Sequence, residues 1–248
     1  CVVITPWNFP FAIPTWLISP ALVSGNTVIF KPSEETPLCG QYLVALFHEA
    51  AQKHNVPRGV LNLVHGKGET IGDYLVRHPY THGQLFTGSY KAGSGIKKIA
   101  AEHYDKFAIC EMGGKNSLIV MDDANLDLAV KAAVLSVYKT THQRCVSADI
   151  LIPHKKIAST FTKQFIDMTK RVRFGDPLDE TVFAGPLINQ QAVVKYNSFA
   201  AKARAECDEP LLLGHAQNRS NFVTPNVFLM KYRHAAFVLR EEAFTPNV

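Results

Sequence analysis

Cysteine is sparse in this chain and never clustered. Cys1, Cys39, Cys110, Cys145 and Cys207 are odd in number and far apart. That spacing speaks against a disulfide framework and against a zinc cluster, and it fits a reducing, cytoplasmic compartment. Blocks of like charge are also missing. Lys97-Lys98 and Lys155-Lys156 are isolated pairs without interleaved aromatics, so no nucleic-acid partner is expected. The net charge of +5 only mildly favours anionic ligands. No apolar run is long enough for a membrane span. The candidate stretch from 9 to 30 is broken by Pro10, Pro14, Pro20, Gly25 and Asn26 and reads as strand, turn and short helix. There is no signal-peptide pattern, internal repeat or low-complexity segment. The chain opens on the strand-like Cys1-Val2-Val3-Ile4 without a Met and stops at Pro246-Asn247-Val248. Both ends are therefore expected to be cuts through a larger protein.

What is present is alternation. Strands are expected at 2–4, 26–30, 59–64, 84–86 and 107–110, separated by amphipathic stretches at 38–53, 69–77 and about 90–100. Such β-α alternation predicts an α/β fold with a doubly wound parallel sheet. The pattern restarts after Gly113-Gly114. Strands follow at 117–121 and 149–152, helices at 126–138, 157–172 and 190–206, and short strands at 211–213 and 222–223. A boundary near Gly113-Gly114 gives two domains, 1–113 and 114–248.

Several residues stand out at the junctions. Cys145 falls between a helix end and a strand, beside Arg144 and near His142. An electropositive setting of this kind favours the thiolate, although most free cysteines are small buried hydrophobes. Asn8 lies in the turn Pro6-Trp7-Asn8-Phe9-Pro10. It is either an Asx-type turn residue or an amide aimed at a ligand. Lys31-Pro32-Ser33-Glu34 follows a strand at its carboxyl end, where open α/β sheets bind ligands. Thr87-Gly88-Ser89-Tyr90-Lys91-Ala92-Gly93 is a plain turn or a phosphate-holding helix start. Glu111 ends an apolar strand before two glycines. It is an exposed loop carboxylate, or a buried one with a raised pKa.

Taken in order, Pro6-Trp7-Asn8-Phe9-Pro10, Lys31-Pro32-Ser33-Glu34, Phe86-Thr87-Gly88-Ser89, Glu111-Met112-Gly113-Gly114-Lys115, Gln143-Arg144-Cys145 and Glu241-Glu242-Ala243-Phe244 resemble the aldehyde dehydrogenase superfamily. The pieces span nearly the whole chain, which looks like the central part of such an enzyme. Within the superfamily, Leu61-Asn62-Leu63-Val64, Gly68-Glu69-Thr70 and Asn116-Ser117-Leu118-Ile119-Val120 look most like bacterial succinylglutamate-semialdehyde dehydrogenases.

The resemblance implies an NAD-binding domain over 1–113, a catalytic domain over 114–248, and an intact parent that is a homo-oligomer. It implies oxidation of an aldehyde to a carboxylic acid, with an acidic semialdehyde of arginine catabolism as the narrower substrate. By the same resemblance Cys145 is the nucleophile, Asn8 an oxyanion donor and Glu111 the general base for hydrolysis. Lys31 and Glu34 hold the adenosine ribose, and a carboxylate there favours NAD over NADP. Gly88, Ser89 and Gly93 form the pyrophosphate turn, Glu242 binds the nicotinamide ribose, and Phe244 packs by the nicotinamide. No metal is implied. Glu111 separates the pattern from CoA-acylating or phosphate-linked relatives, which generally lack that base. Three positions depart from the family's usual residues: His142 and Thr245 replace Gly, and Tyr90 replaces Thr. His142 is expected either to crowd the nicotinamide or to point to solvent. It also motivates the alternative of a non-catalytic relative or an inactive fragment.

Overall fold

A computed structural model describes residues 1–248 as two compact units, Cys1–Gly113 and Gly114–Val248. In the first unit, β1 (Val2–Ile4), β2 (Val28–Lys31), β3 (Leu61–Leu63), β4 (Gly83–Gly88) and β5 (Phe107–Met112) form one all-parallel sheet in the order β3-β2-β1-β4-β5. From β1 the chain winds first towards β3 and then, through β4, towards β5. The winding direction therefore reverses between β1 and β4, a topological switch point.

The period-2 alternation of strands assigns the two faces. Val3, Phe30, Leu61 and Leu85 face α1 (Ala12–Val23) and α2 (Pro37–Lys53) through Ile18, Ala21 and Val44. Ile4, Phe86, Ala108 and Cys110 pack with Val76 of α3 (Asp73–Arg77) and with Ile96 and Ile99 of α4 (Tyr90–Ala101). Helices on both faces explain why these strands read as nearly continuous apolar runs.

Two elements differ from expectation. The helix expected over 69–77 is a π turn at Gly68–Gly72 that continues as α3. The short helix expected within the interrupted 9–30 stretch runs for twelve residues and contains Pro20.

The second unit holds a parallel pair, β6 (Asn116–Val120) and β7 (Ala148–Pro153), and an antiparallel pair, β8 (Glu209–Leu212) and β9 (Val227–Leu229). Its core joins α5 (Leu126–Tyr138) to α6 (Ala158–Thr169). Val130, Val134, Val137 and Tyr138 pack against Phe161 and Phe165, with Val120 and Ala148 beneath. Asn125 caps α5 by accepting the Leu128 N–H at 3.1 Å. Asn189 does the same for Ala192 at 2.9 Å at the start of α7 (Gln190–Glu206). The strand expected at 222–223 is a single bridge, Ala216 with Val223, and β9 lies farther on. No helix is long and apolar enough to cross a membrane.

Candidate active site

In the first unit the predicted cofactor residues gather at the switch point. Lys31 ends β2 with its side chain 2% exposed, and its Nζ donates to Pro32 O at 2.9 Å and to Glu34 Oε2 at 3.1 Å. Partial burial raises the Glu34 pKa, but its own backbone N–H, the Lys31 ammonium and the Gly68 N–H outweigh that, leaving it below the usual carboxylate range. The carboxylate is thus oriented yet half open, at 47% exposure.

Glu34 borders a groove of about 740 Å³ whose walls include Ile4, Gly68, Phe86, Ser89 and Ile96. Ser89 caps α4 and accepts the Ala92 N–H at 3.3 Å. The backbone N–H groups of Tyr90 and Lys91 begin that helix and lack intrahelical acceptors. An oriented carboxylate, apolar walls and a helix start fit the polar and apolar parts of a dinucleotide. Gly93 contributes differently from the expected phosphate contact. Its N–H is bonded to Ser89 O at 3.0 Å, and a Cβ on it would lie 2.5 Å from the Met112 sulfur. Glycine is needed there so that α4 can approach β5. Gly88 is the last residue of β4, paired with Met112.

Asn8 sits half-buried in the turn between β1 and α1. The flanks of that turn are tied by Thr5 N–H to Lys31 O at 3.3 Å and by Ile13 N–H to Phe9 O at 3.2 Å. Glu111 lies within β5, opposite Thr87, and not in a loop. It is exposed, in the same outward row as Phe107 and Ile109.

The Cys145 turn dominates the second unit's candidate residues. After α5, Thr140, Thr141 and His142 take left-handed φ values of 54°, 57° and 66°. Each such non-glycine residue costs roughly 1–2 kcal/mol, so the surroundings must hold the turn. Thr141 Oγ1 donates to Gly185 O at 2.6 Å. Gln143 Nε2 donates to Thr140 O and Pro186 O, both at 3.2 Å, and its Oε1 accepts the Ile188 N–H at 2.9 Å. The Arg144 guanidinium reaches back to Leu135 O and Ser136 O, both at 2.9 Å, satisfying carbonyls of the last turn of α5. Burial lowers the Arg144 pKa, partly offset by the charge of Cys145. Cys145 is half-buried, and its carbonyl accepts the Asn116 Nδ2 at 2.6 Å. The same amide donates to Ser147 O at 2.9 Å.

His142 neither crowds a ligand space nor meets solvent. It is 1% exposed and its Nδ1 donates to Val137 O at 2.8 Å. Its Nε2 stands 3.4 Å from Asp149 Oδ1, outside hydrogen-bonding geometry. The imidazole replaces what glycine would leave empty with a packed, polar core contact. Thr245 is likewise absorbed into the core. Its hydroxyl donates to Ala243 O at 3.3 Å and accepts from Asn247 Nδ2 at 2.9 Å. Asn247 Oδ1 in turn accepts from Asn226, which also donates to the Tyr196 hydroxyl. Tyr90, the third departure, is exposed at the first position of α4.

Asp149 was not singled out from the sequence. Its buried carboxylate draws in Lys115 Nζ at 3.2 Å, the Asn116 N–H at 3.4 Å and the Ala243 N–H at 3.4 Å. Burial raises its pKa, but His142 and Lys115 more than reverse this, so it lies below the usual range. Lys115 is lowered by burial despite Asp149 and Glu242. Glu242 is pushed up by burial and by Asp149, against the opposing pull of Lys195, the Gly114 N–H and His142. Phe244 follows with φ 53°. An acidic residue opening the apolar run 149–152 was the available signal.

The sequence profile described as "Aldehyde dehydrogenase family" matches residues 1–248. Among curated relatives, the chain is 42% identical over 213 residues to the D-glyceraldehyde dehydrogenase (NADP(+)) of Picrophilus torridus, covering 86% of this chain and 42% of the relative. It is 35% identical over 251 residues to the alpha-ketoglutaric semialdehyde dehydrogenase of Bacillus subtilis, covering 99% of this chain and 50% of the relative. Among solved structures, an NAD-dependent aldehyde dehydrogenase from Sinorhizobium meliloti superimposes with a TM-score of 0.92 at 34% identity, covering 100% of this chain and 48% of that one. The chain spans about half the length of the curated relatives it matches.

Proposed function

Because this chain belongs to the aldehyde dehydrogenase family, we propose that the protein oxidises an aldehyde to a carboxylic acid with a nicotinamide cofactor, and that Cys145 is its nucleophile. The observation that carries this reading is the Cys145 turn. Three consecutive left-handed residues precede it, and cross-bonds from Thr141 and Gln143 hold them. A buried structural cysteine has no need of that strain, whereas a thiol presented in one orientation does.

The Cys145 thiolate adds to the aldehyde carbon and gives a tetrahedral thiohemiacetal. The Cys145 N–H and the Asn8 amide donate to the oxyanion, each worth about 3–4 kcal/mol of barrier. A bound nicotinamide would supply the acceptor for the hydride that leaves the thiohemiacetal carbon as the carbonyl re-forms. The carbon is then a thioester on Cys145. Glu111 takes a proton from water, the water oxygen adds to the thioester carbon, and the C–S bond breaks to release the acid and restore the thiolate.

In the first unit, Lys31 orients Glu34 toward the adenosine ribose, and Ser89 opens the helix start that faces pyrophosphate. Gly88 and Gly93 allow the close packing of that junction. The Glu34 carboxylate supports NAD over NADP, since a 2′-phosphate would meet a negative charge. In the second unit, Glu242 and Phe244 serve the nicotinamide riboside. For the substrate we favour an acidic semialdehyde such as succinylglutamate semialdehyde. The motif resemblance, the net charge of +5 and the semialdehyde named for the Bacillus subtilis relative support that choice.

The test is Cys145→Ala, which should abolish NADH formation while cofactor binding persists. Near-normal turnover in that variant would sink the nucleophile assignment.

A further inference from the structure

Asp149 is the second residue of β7, four residues after Cys145, with its side chain 2% exposed. Its contacts come from three separate stretches. Lys115 Nζ at 3.2 Å and the Asn116 N–H at 3.4 Å belong to the start of β6. His142 Nε2 at 3.4 Å belongs to the left-handed turn before Cys145. The Ala243 N–H at 3.4 Å belongs to the segment that carries Glu242 and Phe244. Asn116 closes the circuit, because its side chain holds the carbonyls of Cys145 at 2.6 Å and Ser147 at 2.9 Å.

We infer that Asp149 is a positioning residue that registers the Cys145 turn against the Glu242–Phe244 segment. This rests on the reading of Cys145 as nucleophile and Glu242 as a cofactor ligand. An ionised carboxylate is acceptor-only, with lone pairs enough for several donors at once. Lys115 and the two backbone N–H groups donate to it. An Asn of the same shape would turn its NH₂ towards one of those donors. The backbone N–H of Ala243 is adjacent to Glu242, so its direction sets where Glu242 begins. The backbone of Asn116 meets Asp149 while its side chain holds Cys145. A displacement on one side is therefore transmitted to the other through a single buried carboxylate.

The experiment is a double-mutant cycle in the protein, with Asn116→Ala, Asp149→Asn and their combination. NAD affinity is read by fluorescence titration, Cys145 reactivity by iodoacetamide alkylation, and turnover by kcat. Asn116→Ala touches the Cys145 turn, yet it should weaken NAD binding by about twofold or more, and that effect should vanish in the Asp149→Asn background. Asp149→Asn alone should lower kcat by about tenfold or more, as expected for a displaced reacting group. The exposed-pair variant Arg173→Ala should be additive with Asp149→Asn.

Additivity of Asn116→Ala with Asp149→Asn, or unchanged NAD affinity in a folded Asn116→Ala protein, overturns the inference. If Asp149→Asn does not fold, the Asn116→Ala titration decides alone. Binding and alkylation are measured without turnover. Turnover retained by Cys145→Ala would therefore refute the nucleophile reading and leave this coupling measurable.

Discussion

Replacing Glu34 by Gln removes a charge while keeping the side chain's shape, and so isolates its role in cofactor choice. The carboxylate is held by Lys31 at 3.1 Å and by the Gly68 N–H at the edge of the switch-point groove. Lys31 keeps its second bond, to Pro32 O at 2.9 Å, so β2 should stay in place. A hydrogen bond from a ribose hydroxyl to a charged acceptor contributes about 1.5–3 kcal/mol. Losing its lower end weakens NAD about tenfold. Glu34 is half exposed, so a 2′-phosphate a few ångströms away meets roughly 1 kcal/mol of repulsion per unit charge in a water-like medium. Relief of that repulsion should tighten NADP about tenfold for a nearly doubly charged phosphate. The ratio of the two affinities should therefore move by about a hundredfold. Direct titration of the folded variant with each cofactor reads both numbers. Equal changes for NAD and NADP would refute the assignment of Glu34 to the ribose. The depressed pKa of Glu34 means that discrimination is complete at neutral pH and fades only as acid protonates the carboxylate.

Glu111→Gln should give a single burst of NADH and then stall, as followed by stopped-flow absorbance; unimpaired steady turnover would assign the base elsewhere. Lys106 is buried and donates to the carbonyls of Val76, His78 and Thr81 at 3.3, 2.7 and 2.6 Å, capping α3. Lys106→Met removes these three charge-assisted bonds, although Thr81 Oγ1 still donates to His78 O at 2.9 Å and Gln84 Nε2 still reaches Val76 O at 3.5 Å and Thr81 O at 3.1 Å. Losing the charged donor should cost about 1.5–3 kcal/mol, seen as a fall of roughly 10 °C in the first unit's melting transition; an unchanged transition would contradict this. Asp149 has a folded pKa below its unfolded value of about 3.9. Its contribution to stability is therefore full above that value and is lost as pH falls through the folded pKa. Urea midpoints measured against pH should drop in acid more steeply for the parent than for Asp149→Asn, and parallel curves would refute this.

The sequence made the β-α alternation legible because each buried strand is a short apolar run bounded by Pro or Gly, as in Val28–Lys31 before Pro32. The helix starts at 126 and 190 were readable from where the apolar periodicity begins, and the structure shows Asn125 and Asn189 capping them. The π turn at Gly68–Gly72 was not readable, since a single five-residue turn is too short to show its own period. Strand β9 escaped notice because three residues are too few to show a period. The candidate site was legible as motifs, but the reason those motifs hold their shape was not. The contacts of His142 and Asp149 span seven residues around a left-handed turn, and the Asp149 contact with Ala243 spans ninety-four. Burial of His142 depends on φ 66°, which no residue pattern announced.

The most direct test of the central claim is to mix the protein with NAD and a panel of aldehydes that includes succinylglutamate semialdehyde, quench early, and weigh the peptide containing Cys145. The account predicts a mass increase equal to the acyl group of the substrate on that peptide, formed in step with NADH and most strongly with acidic semialdehydes. NADH formed with no acyl group ever found on Cys145, including in Glu111→Gln, would contradict it.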